Sequence, residues 1–282
     1  MADETTGGEF PEQRPIQSFE DGLRPARLML RVYKLLDSND NIQTEGDFVR
    51  KVRGLVEAAV TEDLLVVQNE LFLGIIRERA GVPRSDLKRS ALCHLLRQAV
   101  VASCSALDVY LPALLRVHLP TVIGYVGREF VPKDDEVRKH FAELAFGLDD
   151  ILRVMTEPPE SSTLFIAGKI LGVTEFKYLS SRKGVFVAGA LLGIPKPWDA
   201  IATHLHRDRK ELMSVLDEAV QRRNDIVHRG DRKQGDRPGE FQTIEFAWTQ
   251  QAVDTIDHVC RALDELVEKR IRELRAAAET IS

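Results

Sequence analysis

Apolar residues recur along most of this chain at intervals of three and four, the spacing that lines one face of an α-helix. Residues 1–22 carry no such pattern and read as a flexible tail, after which 24–36 reads as a short amphipathic helix. Ser38-Asn39-Asp40-Asn41 reads as a loop. Thr44 is placed to cap a long helix with a stripe through Phe48, Val52, Leu55, Ala59, Val67, Leu71 and Ile75, stopped by Gly81-Val82-Pro83. Ser85 can cap the next helix, 86–119. It is apolar around most of its circumference between Leu95 and Leu115, as expected of a helix in the middle of a bundle, with a kink expected at Pro112. Weaker helical patterns cover 134–155, 164–172, 185–192 and 198–205, with a Pro/Ser loop over 157–163. No strand-length alternation and no internal repeat stands out.

The best-defined element begins after Asp208. Asp208 followed by Glu211 is a capping-box arrangement, and Leu212, Leu216, Ala219, Arg223 and Ile226 then recur at four, three, four and three. Gly230 suits the C-terminal stop, and a loop rich in Gly, Asp, Arg and Lys follows to about Gly239. A last helix over 248–278 carries its stripe through Ala252, Ile256, Val259, Leu263 and Leu266. These elements predict an all-α helical bundle.

Composition changes the picture little. The chain has 282 residues, 44% hydrophobic and 29% charged, within the range of an ordinary globular protein. A net charge of −5 excludes a generally basic nucleic-acid coat, so any RNA contact must come from a local patch. Cys93, Cys104 and Cys260 lie in helical patterns without a close-spaced pair, which suits a reducing cytosol better than a disulfide scaffold. Residues 1–20 show no apolar signal region. The most hydrophobic stretch, 98–115, carries Ser103, Ser105, Asp108 and Pro112, and reads as a core helix rather than a membrane span. A cytoplasmic protein without a membrane partner is therefore expected.

Candidate chemistry starts from an anomaly. Arg223 occupies a seam position between Ala219 and Ile226, where a guanidinium is costly unless it is paired or opens onto a polar cleft. The structural reading pairs it with Asp108, the only charged residue between Arg97 and Arg116. The functional reading joins it to His228, five residues on in the last turn of the same helix. At about 100° per residue the two side chains diverge by about 140°, so they flank a cleft. Asn224 lies one turn before His228. A helix C-terminus favours the imidazolium form, and a cation beside a histidine is a minimal set for RNA cleavage. Arg222, Arg229, Arg232, Lys233 and Arg237 outnumber Asp225, Asp231 and Asp236, which makes a modest basic surface for RNA.

Other constellations are weaker. His204-x-His206 on a helix would point its rings about 200° apart, and Cys93-His94 and His258-x-Cys260 fall to the same argument, so no metal site is expected. Gly168-Lys169 lacks the rest of a phosphate loop.

The string Arg222-Arg223-Asn224-Asp225-Ile226-Val227-His228-Arg229-Gly230-Asp231 resembles the signature of the HEPN superfamily, an Arg, a polar neighbour, then His four to six positions after the Arg. LLRQAVVASCSALDVYLPALL and GVFVAGALLGIPKPWDAIATHL resemble the upstream segments of its RiboL-PSP-HEPN branch. The resemblance spans 86–278. It implies a HEPN-like domain over 86–282, preceded by an N-terminal helical extension over 23–85. It further implies a metal-independent endoribonuclease without a cofactor, with Arg223, His228 and Asn224 as catalytic residues and Asp108 and Asp225 in support. Arg222, Arg229, Arg232 and Lys233 are then the RNA-contacting set. Such enzymes typically build composite sites as homodimers and often serve as toxins or anti-phage effectors, which brings in an antitoxin or sensor protein as a partner class. The rival reading is a HEPN-like domain without catalysis, a nucleotide- or RNA-binding or dimerisation module.

Overall fold

The computed structural model describes residues 14–37, 42–43, 45–69, 72–130, 138, 144–173, 179–233 and 239–281. Its architecture is all-α, interrupted by one small antiparallel sheet. In chain order the elements are α1 (Pro15–Leu36), β1 (Ile42–Gln43), α2 (Asp47–Leu55), β2 (Leu64–Asn69), β3 (Phe72–Arg77), α3 (Arg89–Val126), α4 (Leu148–Thr156), α5 (Pro159–Val173), α6 (Arg182–Leu191), α7 (Pro197–Leu205), α8 (Arg209–Arg229) and α9 (Phe246–Ile281). Much of the expected 134–155 helix, the 38–41 loop and the Thr44 cap lie outside the described residues.

Two expectations at the N-terminal end need correction. The tail expected over 1–22 gives way to helix from Pro15, because Phe19, Leu23, Ala26, Leu30 and Tyr33 form a buried seam at spacings of four and three. Residues 1–13 lie outside the described residues. The single long helix expected from Thr44 is instead a short helix, α2, and a β-hairpin. Leu65 stands opposite Ile76 and Val66 opposite Ile75. Runs of β-branched residues paired across a ladder favour this arrangement over a helix, in which their χ1 freedom is lost. Val49 and Val52 of α2 share a buried cluster with Leu64 and Val66 of β2.

The chain divides into two compact units that do not follow sequence order. One comprises 1–23, 104–220 and 254–282, the other 24–103 and 221–253. Each unit takes part of α1, α3, α8 and α9.

In the first unit, the buried core includes Leu107, Leu111, Leu114 and Leu115 of α3, Leu212, Leu216 and Ala219 of α8, and Ile256, Val259 and Leu263 of α9. The Cys104 thiol reaches Ala219 O on α8, and Tyr110 Oη donates to Cys260 O on α9 at 3.0 Å. At Gly189 of α6 an added Cβ would lie 2.7 Å from Pro197 Cβ, so only glycine lets α6 approach the start of α7. Pro159 opens α5 directly, and the expected Pro/Ser loop shortens to a break after α4. Leu148, Ile151, Leu152 and Met155 of α4 are exposed. α3 continues through Pro112 and Pro120. It is long and apolar enough to cross a membrane by length and composition, and half of its most apolar window is buried within the fold.

Candidate active site

α8 is the element that carries the motif, and its ends follow from local chemistry. Asp208 Oδ1 accepts the Glu211 N–H at 2.9 Å, the N-cap bond expected from the sequence. At the other end Gly230 and Asp231 both adopt left-handed backbone, with φ of 60° and 58°. The Gly230 N–H still reaches Ile226 O, while the Asp231 N–H reaches back to Asp225 O at 3.0 Å. Two successive left-handed residues turn the chain sharply, and Gln242 N–H then closes the return by donating to Asp231 O at 2.8 Å.

This turn drives the Asp231 carboxylate inward, where it is 0% exposed. Arg97 of α3 donates from Nε to Oδ2 at 2.6 Å, and Arg222 of α8 donates to the same oxygen at 3.0 Å. Arg222 Nε also lies 2.8 Å from Oδ1, close enough for an ion pair although not aligned as a hydrogen bond. The remaining guanidinium capacity goes to backbone: Arg97 donates to Gln242 O at 2.9 Å and Arg222 to Thr243 O at 2.8 Å. One buried carboxylate thus ties α3, α8 and the strand-like segment before α9 together. A buried charge is tolerable only when it is paired and hydrogen-bonded, as Asp231 is by the two guanidiniums, both hydrogen-bonded to Oδ2. Sequence reading counted Asp231 and Arg222 together in a surface facing RNA; in the structure Asp231 is buried and Arg222 turns its side chain to it.

Around this hub the sequence-predicted residues fall into distinct positions. His228 is exposed in the last turn of α8, whereas Arg223 and Asn224 are half-buried. Regular helix from Arg209 to Arg229 keeps the divergence of Arg223 and His228 at about 140°, with about 7.5 Å of rise between them. Asp108 belongs to the first unit and Arg223 to the second. Asp225 accepts from Arg229 and Gln221 at Oδ1 and from Gln242 at Oδ2. Burial pushes its carboxyl up, but these three donors together outweigh it and hold the group below its ordinary value.

Arg229, Arg232, Lys233 and Gln242 line an open recess of about 310 Å³ at the end of α8. Lys233 pairs with Glu240 at 3.2 Å, and Arg232 donates to Gly239 O. The ring of Phe241 lies beneath two guanidiniums, that of Arg97 at 4.7 Å and that of Arg232 at 4.1 Å, and meets His94 edge-on at 5.0 Å. Desolvation pushes the His94 imidazole down, and the charges of Arg97 and Arg232 push the same way. Phe241 and His94 were not singled out in this role from the sequence. The only signal was an aromatic residue closing an otherwise polar loop. Arg237 lies outside the described residues.

The alternative pairs are accounted for locally. His204 Nε2 sits 3.0 Å from Glu265, and His206 is the left-handed residue ending α7. His258 is exposed while Cys260 is buried. Among the described residues, no three His, Cys, Asp or Glu side chains converge as a ligand set.

Comparison with protein-family profiles, with curated proteins and with solved structures finds no match to this chain.

Proposed function

We propose that this protein is a metal-independent endoribonuclease of HEPN type, acting in the cytoplasm, with its site at the C-terminal end of α8. The observation that carries the reading is the exposed imidazole of His228 in the last turn of α8, with Arg223 half-buried five residues before it; the next residue, Arg229, lines a recess with Arg232 and Lys233. An imidazole can donate a proton or take one up. The reaction needs both. The 2′-hydroxyl loses its proton as its oxygen attacks the adjacent phosphorus, a pentacoordinate phosphorane forms, and the 5′-oxygen departs with a proton. The products are a 2′,3′-cyclic phosphate and a 5′-hydroxyl. His228 serves as base or acid, Arg223 neutralises charge on the phosphorane, and Asn224 orients one of them or the phosphate.

One Arg and one His are few groups for these tasks. Two copies related by a two-fold axis would supply two of each, and isologous pairs are the commonest assembly. A homodimer built around the motif helices therefore belongs to the proposal, as does a role as a toxin or anti-phage effector governed by an antitoxin or sensor protein.

The test is incubation of the purified protein with cellular RNA in EDTA, beside His228→Ala. Cleavage by the parent alone is expected, and inactive His228→Ala subunits added in excess should depress it beyond simple dilution. A His228→Ala variant that cuts like the parent would overturn the assignment. Binding of RNA with no cleavage by the parent would favour the rival, a non-catalytic module.

A further inference from the structure

We infer that the recess lined by Arg229, Arg232 and Lys233 receives one unpaired nucleotide of a strand, its base stacked on the Arg232 guanidinium and its phosphate held by Arg229 and Lys233. The identity of the strand rests on the ribonuclease reading; the chemistry of the recess does not.

Arg232 is an exposed side chain fixed from behind. Its guanidinium lies 4.1 Å over the Phe241 ring and donates to Gly239 O. The ring is itself held, with the buried guanidinium of Arg97 at 4.7 Å and the edge of His94 at 5.0 Å and 87°. A planar cation ordered in this way loses little freedom when a second flat group settles on it. Guanidinium planes and aromatic rings are the surfaces on which splayed-out bases stack, and every base has a face to offer. Phe241 and His94 are positioning residues here, since they hold the platform without forming its outer face.

Phosphate recognition completes the site. Arg229 spends one part of its donor fork on Asp225, and the fork carries five N–H groups in all. Lys233 pairs with Glu240 at 3.2 Å with both side chains about half exposed, a contact that an incoming phosphate can replace at little cost. Gln242 adds an amide at the wall, suited to a base edge. At about 310 Å³ the recess stands at the small end of ligand pockets, which run from about 300 to 1,000 Å³. That is room for one nucleotide. A base inside a duplex has both faces covered, so it has none to give Arg232.

The experiment measures binding by fluorescence anisotropy with a labelled single-stranded decamer of all-2′-deoxy sugars, its abasic analogue and its duplex. Parent, Arg232→Ala and Arg232→Lys are compared, with a free mononucleotide as competitor. Both variants should weaken the decamer by about 5- to 150-fold, the range that stacking of one base supplies, and should hardly change the abasic strand. Arg232→Lys keeps the charge and loses the plane, so its failure to rescue separates stacking from attraction. Equal losses on both strands, rescue by lysine, or a duplex bound as tightly as the single strand would overturn the inference. A mononucleotide that competes at the decamer's own concentration would overturn its assignment to a strand. The deoxy probe has no 2′-hydroxyl to attack, so this titration and the cleavage assay fail independently.

Discussion

Removing the carboxylate of Asp231 is the sharpest stability test of the site's framework. Asp231 is 0% exposed, and the side chains it holds are nearly as hidden, Arg97 at 5% and Arg222 at 16%. Asp231→Ala leaves two guanidiniums inside the protein without their counter-charge, a change that costs about 3–5 kcal/mol when one member of a buried pair is deleted. The backbone adds to this. At φ 58° an alanine bears roughly 1–2 kcal/mol of strain that Asp and Asn relieve through local hydrogen bonding. The Ala variant should therefore lose about 4–7 kcal/mol, a large share of the roughly 5–15 kcal/mol that holds a typical domain together. Asp231→Asn also removes the counter-charge but keeps the backbone tolerance and one acceptor oxygen, and should lose about 3–5 kcal/mol, less than the Ala variant by the backbone strain. Urea unfolding followed by tryptophan fluorescence reads the difference, with Trp248, 6.0 Å from the Arg222 guanidinium, as a local reporter. An Ala or an Asn variant within about 1 kcal/mol of the parent would refute the argument that a buried charge hub closes this turn.

Two further substitutions test the fold elsewhere. Burial, reinforced by the charge of Glu268, raises the Asp264 carboxyl above its ordinary value, against the opposing pull of Arg14 and the Tyr110 hydroxyl. A raised acid favours the fold while protonated and loses that contribution as pH rises through the folded value. Asp264→Asn, which keeps an acceptor for Tyr110, should thus unfold at higher urea than the parent at pH 7, and the gap should close on acidification below the usual carboxylate range; a gap that widens in acid would contradict this. Asp208→Ala should lower stability by about 1 kcal/mol through loss of the bond to the Glu211 N–H. An unchanged urea midpoint would mean that the cap contributes nothing.

How much of this was legible in the sequence depended on the range of the interactions involved. α8 could be read almost residue by residue, because its cap, its seam and its glycine stop are local signals. The last helix was equally plain, and Ala252, Ile256, Val259 and Leu263 of its expected stripe are buried. The hairpin of β2 and β3 was hidden because Glu70-Leu71, between the two strands, is not one of the Asn-Gly or Asp-Gly pairs that announce a tight turn. Val67, Leu71 and Ile75 happen also to fit a spacing of four. α1 was started only at residue 24, although its seam at Phe19 and Leu23 was already in register with Ala26 and Leu30. At the site, the motif helix and the exposed position of His228 followed from local pattern. The role of Asp231 did not. Its partner Arg97 lies 134 residues away, and nothing local distinguishes a carboxylate that will be buried by two left-handed residues from one that stays in water.

The central claim is chemical, and the ends of the cut strand test it most directly. A short RNA of defined sequence, incubated with the protein in EDTA, should yield fragments ending in 2′,3′-cyclic phosphate and beginning with 5′-hydroxyl. A 2′-deoxy sugar at the mapped scissile position should abolish that cut, and so should His228→Ala, with little loss of stability because the side chain is exposed. Fragments carrying 5′-phosphate and 3′-hydroxyl, or cleavage that proceeds at the 2′-deoxy position, would show that the 2′-hydroxyl is not the nucleophile and would contradict the account.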